Sequence, residues 1–302
     1  MMMDKSAIDK KKLLNGHILD GKVLRDLGVQ RLKLAFSKFV GKPTLAVIQV
    51  GDLAESSAYI EQKRKFAEKI GAGFIHEKFS ADVSEEDLSS AINRLNSNSK
   101  INGIIVQLPI PVALNKRKII DTILPKKDVD GLTTTNKKLF ETENSSAIVP
   151  ATARGVLSLL EGYGIDVNKK KVTVVGRSEL VGGPIATLFA HKGSLVTVCH
   201  RGTPDMTTKC RNADILIVAT GVPRLVDRNY VTENQVVVDV GISSVLGDKL
   251  EEEIPRKVLV GDVDFNDVKD IVSAISPVPG GVGPMTVLSL FENLFDASKN
   301  VI

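Results

Sequence analysis

Four short apolar segments in the second half of the chain recur at nearly even intervals, and this spacing constrains the fold more than any other feature. They begin 24, 20 and 21 residues apart, at residues 171–175, 195–199, 215–219 and 236–240. Each interval leaves room for one helix between consecutive strands, as in repeated βα units. Strands joined in this way lie parallel, with helices covering the sheet. The second half is therefore predicted to be an α/β domain.

The first half also alternates between strand and helix patterns. We expect strands at 44–50, 74–79 and 103–108, and helices at 56–70 and from Ser84 to about residue 95. A polar stretch before Pro150 marks the boundary between two three-layer α/β domains, 1–149 and 150–284. A last helix begins at Met285, and we expect the segment 285–302 to pack on the first domain.

Composition excludes several classes of protein. The 302 residues are 43% hydrophobic and 25% charged, which is typical of globular domains. No apolar run approaches the roughly 20 residues of a membrane span, and the charged N-terminus does not resemble a secretory signal. Two cysteines, Cys199 and Cys210, are too few for disulfide bonds to stabilise a chain of this length, so we expect a reducing, cytoplasmic location.

Charge points to a small-molecule partner. The net charge of +4 is modest and aromatic residues make up 4%, so neither nucleic acid nor membrane is an expected partner. A small anionic substrate fits this balance better. The four histidines are scattered and no CxxC or HxxxH pair occurs, so we expect no metal site.

A glycine-containing loop follows the strand at 171–175. It begins with Gly176, Arg177 and Ser178, and it continues to Gly182-Gly183-Pro184. A strand, a glycine turn and a helix start let backbone N–H groups approach a dinucleotide pyrophosphate. The spacing differs from the common G-x-G-x-x-G pattern, so an ordinary βα turn is the alternative interpretation.

The end of the next strand bears on the choice of cofactor. NAD sites usually place an acidic residue there, but this chain has His200-Arg201, and Arg177 lies on the preceding loop. Two guanidinium groups would suit a 2′-phosphate. NADP is therefore the predicted cofactor, although Arg201 could instead be a solvated loop residue.

A lysine lies within an apolar stripe of the helix predicted at 56–70. At 100° per residue, Tyr59, Lys63, Phe66 and Ile70 share one face. Desolvation lowers the pKa of an ammonium, which suits proton transfer near neutral pH. The alternative is a lysine at the edge of the stripe whose ammonium reaches solvent.

Three further features carry both a functional and a structural interpretation. Gln107 ends a buried strand, where it could face a ligand crevice or be a satisfied core amide. Asp130 precedes Gly131 and could bind a ligand or form a turn. The Pro/Gly-rich loop 277–284 could lie against a planar ligand or connect domains.

These segments together resemble the bifunctional methylenetetrahydrofolate dehydrogenase/methenyltetrahydrofolate cyclohydrolase family. The resemblance runs from Leu14-Asn15-Gly16 to the last helix. Its most specific matches are Tyr59-Ile60-x-x-Lys63, the segments 103–109 and 127–131, Val175-Gly176-Arg177-Ser178-x-x-Val181-Gly182, and the segment 277–286.

The resemblance implies a substrate domain, a Rossmann-type NADP-binding domain, a cytosolic homodimer and two reactions. A hydride would pass from 5,10-methylenetetrahydrofolate to NADP⁺, and the 5,10-methenyltetrahydrofolate formed would be hydrolysed to 10-formyltetrahydrofolate. The implied catalytic residues are Lys63, Tyr59, Gln107, Asp130 and Ser56. The implied cofactor contacts are Gly176, Arg177, Ser178, Arg201 and Ile242. Folate would contact Tyr59, Lys63, Gln107, Asp130, Pro279, Gly280 and Gly281.

One segment departs from the family pattern. Where the family usually has Pro-Cys-Thr-Pro, this chain has Pro150-Ala151-Thr152-Ala153. The proposed chemistry needs no thiol there, so we expect activity to be retained. The alternatives are a monofunctional dehydrogenase that has lost the hydrolytic step and a folate- or nucleotide-binding protein without turnover.

Overall fold

The computed structural model describes residues 18–39, 41–249 and 255–299. These form two compact units. The first, called the five-stranded unit, comprises residues 18–24 and Thr152–Met285. The second, called the three-stranded unit, comprises Arg25–Ala151 and residues 286–299. Leu14-Asn15-Gly16 and residues 300–302 of the predicted last helix lie outside the described residues, and the domain limits drawn from the sequence remain predictions.

The three-stranded unit is built on a parallel sheet in the order β2-β1-β3. Its strands are β1 (Thr44–Val50), β2 (Gly73–Phe79) and β3 (Ile101–Val106). Every residue of β1 after Thr44 is buried, as expected of a central strand that is covered on both faces.

Six helices lie wholly or mainly in this unit. They are α1 (Gly21–Phe36), α2 (Ala54–Ile70), α3 (Glu85–Ser97), α4 (Lys116–Asp121), α5 (Thr134–Glu141) and α10 (Val282–Lys299). Local chemistry sets their ends: Ser84 Oγ accepts a hydrogen bond from Asp87 N at 3.0 Å and caps α3. Helix α2 ends at Ile70 and is capped by Gly71, whose φ of 80° favours glycine.

The five-stranded unit contains a parallel sheet in the order β10-β7-β6-β4-β5. Its strands are β4 (Lys171–Val175), β5 (Leu195–Cys199), β6 (Ile215–Val218), β7 (Val236–Asp239) and β10 (Ala274–Ile275). Its helices are α6 (Ala151–Gly162), α7 (Gly182–His191), α8 (Met206–Arg211) and α9 (Phe265–Val268). A separate antiparallel pair consists of β8 (Ser243–Lys249) and β9 (Pro255–Val260). The predicted α/β class with parallel sheets is confirmed.

Several element boundaries differ from the sequence-based expectation by one to three residues, and two of them bear on candidate site segments. Strand β3 ends at Val106, so Gln107 lies just beyond the strand. The last helix begins at Val282 rather than Met285. Gly283 and Pro284 therefore lie in its first turn, where proline is tolerated because those N–H groups have no intrahelical acceptor.

The structure also bears on two features read from composition. Cys199 and Cys210 are both free and buried. Within the described ranges, no helix combines the length and the apolar character that crossing a membrane requires.

Candidate functional site

Lys63 lies on helix α2 and is half-buried. Its ammonium donates a hydrogen bond to Gln107 Oε1 at 2.7 Å. Burial lowers the pKa of Lys63, while the carboxylate of Asp130 acts in the opposite direction. The side chain is therefore a polar group held on a largely apolar helix face, which includes the buried Phe66 and Ile70. Such an amine loses its proton more readily than a solvated lysine.

The backbone next to Gln107 orients its amide. Its N–H donates to Ile48 O at 2.8 Å, and its side-chain Nε2 donates to Leu108 O at 2.8 Å. With the amide nitrogen bound in this way, Oε1 is left as the acceptor for Lys63. Gln107 thus fixes the position of the amine without adding a charge.

Asp130 is the carboxyl group that acts on Lys63. Burial raises the pKa of Asp130 to about 6; the Lys63 ammonium opposes this rise, and the neighbouring Asp128 adds to it. The amine and the carboxyl therefore each have a pKa displaced toward the neutral form. Lys63 therefore gives up a proton, and Asp130 takes one, more readily than a solvated side chain of the same type.

From the sequence, Asp130 could have formed a turn. In the structure, Asp128 forms that turn. Its Oδ1 accepts from Gly131 N at 3.0 Å and Leu132 N at 3.1 Å. Its Oδ2 accepts from Thr133 N at 2.8 Å and Asn136 Nδ2 at 2.9 Å. Sequence reasoning missed this residue, although aspartate three residues before a glycine is a known turn pattern.

Two further side chains anchor the same loop. Lys127 is buried and donates to the carbonyl oxygens of Asn96 at 2.7 Å and Asn98 at 2.8 Å, at the end of α3. A cation at a helix C-terminus is electrostatically favourable. Asn293 on α10 donates to Val129 O at 2.8 Å and so holds the residue next to Asp130. The loop is fixed on both sides.

Tyr59 and Ser56 precede Lys63 on the same helix. Tyr59 is half-buried, and burial followed by the charge of Glu55 raises the pKa of its hydroxyl, so it stays protonated. Ser56 is buried in the first turn. The hydroxyl of the adjacent Ser57 accepts a hydrogen bond from Gln49 Nε2 at 3.0 Å. The structure thus groups Lys63 with Gln107 and Asp130.

The five-stranded unit carries the predicted dinucleotide loop between β4 and α7. Gly176 has a φ of 122°, and a side chain there would collide with the Ala219 carbonyl. A side chain at Gly182 would collide with the Gly176 carbonyl. Ser178 Oγ accepts from Gly182 N at 3.3 Å at the start of α7. The loop is thus a close-packed backbone cradle that only glycine permits, which fits a pyrophosphate at a helix N-terminus.

The other predicted cofactor contacts follow neighbouring strands of the same sheet. Val175 pairs with Cys199 in parallel register, so Arg177 and Arg201 each follow the paired position by two residues. Both arginines are exposed. Ile242 follows β7 and is 42% exposed. All three lie beyond the carboxyl ends of parallel strands, where open α/β sheets bind ligands.

The Pro/Gly-rich loop also lies in the five-stranded unit. Gly280 has a φ of 118°, and its carbonyl accepts from Gly21 N at 2.9 Å. Gly281 N donates to Pro277 O at 2.8 Å. Pro279 is exposed, whereas Gly280 and Gly281 are buried. The loop is therefore fixed by backbone hydrogen bonds and presents a proline at its surface.

The segment that departs from the family pattern lies at the start of α6. Ala151 and Ala153, which replace the usual cysteine and proline, are each 1% exposed in the first turn of this helix. Over the part of the chain that is described, no three His, Cys, Asp or Glu side chains cluster closely enough to hold a metal ion.

Comparison with known families gives two matches in order along the chain. Residues 15–130 match the family described as tetrahydrofolate dehydrogenase/cyclohydrolase, catalytic domain. Residues 150–302 match the NAD(P)-binding domain of the same family.

Individual relatives match over nearly their whole length. The bifunctional protein FolD of Aquifex aeolicus is 42% identical over 93% of this chain and 95% of its own. A bifunctional FolD crystal structure from Campylobacter jejuni is 37% identical, with a TM-score of 0.87, and the match covers 94% of this chain and 99% of that one. The Trypanosoma brucei FolD structure, complexed with NADP cofactor and inhibitor, is 34% identical, with a TM-score of 0.88 and coverage of 94% and 97%.

Proposed function

Because the chain belongs to the tetrahydrofolate dehydrogenase/cyclohydrolase family, we propose that it catalyses two consecutive reactions of one-carbon folate chemistry. It oxidises 5,10-methylenetetrahydrofolate to 5,10-methenyltetrahydrofolate with NADP⁺, and it hydrolyses that product to 10-formyltetrahydrofolate. The predicted family, enzyme activity and cofactor are confirmed by the bifunctional relatives and the NADP-bound neighbour. The structural observation that carries the proposal is the Lys63–Gln107 hydrogen bond beside the Asp130 carboxyl.

Lys63 is the proposed proton-transfer group. The methenyl compound is a cation, so a neutral amine beside it is electrostatically preferable to an ammonium. Burial of Lys63 favours that neutral form. The neutral amine then takes a proton from the water that attacks the methenyl carbon, and Gln107 holds the nitrogen in place.

The remaining side chains of the three-stranded unit bind and orient the substrate. Asp130 accepts hydrogen bonds from the amino and ring N–H groups of the pterin. Tyr59 stacks on the folate, and Ser56 supports the first turn of the helix that carries both Tyr59 and Lys63. In the five-stranded unit Pro279 is exposed, and the family resemblance assigns folate contacts to it and to Gly280 and Gly281.

The cradle at Gly176 fits the dinucleotide, because side chains are sterically excluded where the pyrophosphate approaches. Bound NADP⁺ supplies the hydride acceptor. Ser178 and the first turn of α7 hold phosphate and ribose, Ile242 contacts the cofactor at the end of β7, and Arg177 and Arg201 bind the 2′-phosphate.

We also propose a cytoplasmic homodimer without nucleic-acid or membrane partners. Strand β5 is an edge strand of its sheet, and its Leu195 and Val198 are 63% and 41% exposed. An edge strand with exposed apolar side chains is suited to pairing with a second copy. Free, buried thiols at Cys199 and Cys210 fit a reducing compartment.

A spectrophotometric assay tests the proposed function. Methylenetetrahydrofolate with NADP⁺ should produce the methenyl absorbance, and added methenyl compound should lose it faster than in buffer alone. Production of the methenyl absorbance without its accelerated loss would indicate a monofunctional dehydrogenase. Binding of folate or NADP⁺ without either reaction would leave a non-catalytic binding protein.

A further inference from the structure

Helix α10 is enclosed by the three-stranded unit over its middle turns. Residues 288–294 are all buried, and they include the polar Asn293, which is 2% exposed. A run of this length covers nearly two turns, so no face of it is left to solvent. The helix therefore has neighbours on opposite sides, and those neighbours are the two elements that carry the reacting side chains.

On one side, α10 packs against the helix that carries Lys63. The ring of Phe291, which is fully buried, stacks on the ring of Phe66, with 4.9 Å between the ring centroids and 23° between their planes. Phe66 follows Lys63 by three residues on α2, so the two side chains share a face of that helix. The stacked rings thus support the turn of α2 from which the amine extends.

On the other side, α10 binds the segment that carries Asp130. Asn293 follows Phe291 by two residues, which places it about 200° further around the helix. Its side-chain Nδ2 donates to Val129 O at 2.8 Å and to Val149 O at 2.9 Å. Both hydrogens of the amide nitrogen are therefore used, and one of them holds the residue directly before Asp130.

The second carbonyl that Asn293 binds belongs to a segment that itself contacts Asp130. Ala151 N donates to Asp130 O at 3.2 Å, two residues after Val149. A side chain at Gly131, where φ is 73°, would collide with the Ile148 carbonyl. The two carbonyl groups bound by the amide thus lie in two segments that meet at Asp130.

We propose that Asn293 is a positioning residue for the Lys63–Asp130 pair, an inference that rests on the proposed function. Its amide fixes the segment that carries Asp130, while Phe291 supports the helix that carries Lys63. One helix therefore sets the spacing of the amine and the carboxyl. Asn293 acts through Asp130 and not on the substrate. Such support matters because a misplacement of about 1 Å can lower a rate about 10²-fold.

Asn293→Leu tests this role, because leucine keeps the branched shape of asparagine but has no hydrogen-bond donor. The value of kcat/KM for hydrolysis of 5,10-methenyltetrahydrofolate should fall about 10–100-fold. Most of this fall should be in KM, because Asp130 binds the pterin. The Kd for NADP⁺ should stay within about twofold of the parent value, since the dinucleotide loop belongs to the other unit.

Ser289→Ala is the matched control on the same helix. Ser289 is fully buried, and its hydroxyl has no hydrogen-bond partner within the described ranges. The variant removes a buried polar group without removing a contact to either catalytic element, so its kcat/KM should stay within about twofold of the parent value. A fall as large as that of Asn293→Leu would show that any polar change in α10 has this effect, and it would overturn the positioning role.

A double-mutant cycle with Asp130→Ala distinguishes positioning from general stability. If Asn293 acts through Asp130, Asn293→Leu should change kcat/KM by less than about twofold in the Asp130→Ala protein. The same fall in both backgrounds, an unchanged kcat/KM for Asn293→Leu alone, or an equal loss of NADP⁺ affinity would overturn the positioning role. A parent without cyclohydrolase activity would overturn the proposed function instead.

A second substitution keeps the test decisive if Asn293→Leu does not fold. Asn293→Ser retains one hydroxyl donor for the two carbonyl groups. Its kcat/KM should fall about threefold, because one neutral hydrogen bond is lost. This fall should disappear in the Asp130→Ala background, and its persistence there would overturn the positioning role.

Discussion

Carboxyl groups that are shielded from solvent are compensated differently in the two units. In the three-stranded unit, Asp130 acts on the amine of Lys63, and each opposes the desolvation effect on the other. In the five-stranded unit, Asp239 is bound by backbone N–H groups and adjoins a second carboxyl, Asp262. Burial raises the pKa in both places, to about 6 for Asp130 and about 7 for Asp239.

The difference teaches what each carboxyl can do. A carboxyl and a neighbouring amine form a pair within which a proton can move. The charge of a bound substrate can therefore change the protonation state of that pair. A carboxyl bound by several fixed N–H donors holds loops in place. Asp128 shows the second arrangement only two residues from Asp130, with four donors on its two oxygens.

The largest expected effect comes from removing the amine of the Lys63–Asp130 pair. Lys63→Met should lower cyclohydrolase kcat about 10²–10⁴-fold, because a positioned proton-transfer group is lost. Lys65→Met, on an exposed position of the same helix, is the matched control and should retain parent activity. Hydrolysis by Lys63→Met near the parent rate would remove Lys63 from the mechanism.

The next effect concerns the cations of the five-stranded unit. Arg177→Ala and Arg201→Ala should each raise the KM for NADP⁺ by about one to two factors of ten, since one charge-assisted hydrogen bond is worth roughly 1.5–3 kcal/mol. The KM for NAD⁺ should change little, and Arg201→Asp should favour NAD⁺. These values follow from kcat/KM with both cofactors. A parent that uses NAD⁺ as well as NADP⁺ would show that the arginines do not select the 2′-phosphate.

A third prediction separates the two units. Asp130→Ala should weaken folate binding by roughly 1–3 kcal/mol, because buried pterin N–H groups lose their acceptor. NADP⁺ binding should be nearly unchanged, since Asp130 belongs to the three-stranded unit. Calorimetry with each ligand measures both values. Equal losses for the two ligands would indicate misfolding instead.

The smallest effect is on stability. The pKa of Asp130 is raised from 3.8 to about 6, so the folded state binds its proton more tightly than the unfolded state. This favours folding at low pH, and the contribution is lost as pH rises through about 6. The free energy of unfolding of Asp130→Asn, relative to the parent, should therefore increase by about 2 kcal/mol between pH 4.5 and 7.5. A constant difference in urea titrations would contradict the raised pKa.

Much of the fold was accessible from the sequence because strand periodicity and burial agree. The predicted strand 44–50 is β1, and two predicted strands of the second half coincide with β4 and β5. Helix α1 and the β8–β9 pair were not predicted. Three of the six residues that follow Gly21 in helix α1 are charged. The exposed Val23, Leu27 and Leu34 blur its apolar stripe.

The candidate site also contains residues that the sequence revealed and residues that it did not. Lys63 and Gln107 were recognisable as polar residues within apolar segments, and the structure joins them. Asp128 was missed although its partners are local and its spacing to Gly131 is a turn pattern. Asp239 and Asp262 were missed because most of their partners are backbone N–H groups on distant segments. Asp262, for example, binds Thr220, which is 42 residues away. No local pattern in the sequence reveals such a contact.

The pH profile of cyclohydrolase kcat/KM, measured for the parent and Asp130→Asn, tests the central claim that burial makes Lys63 lose its proton more readily than a solvated lysine. Burial lowers the Lys63 pKa below 10.5, and Asp130 opposes that shift. The account predicts a rise in activity centred below the ordinary lysine value in the parent, and at a still lower pH in Asp130→Asn. A rise centred at the ordinary value and unmoved in the variant would contradict the claim.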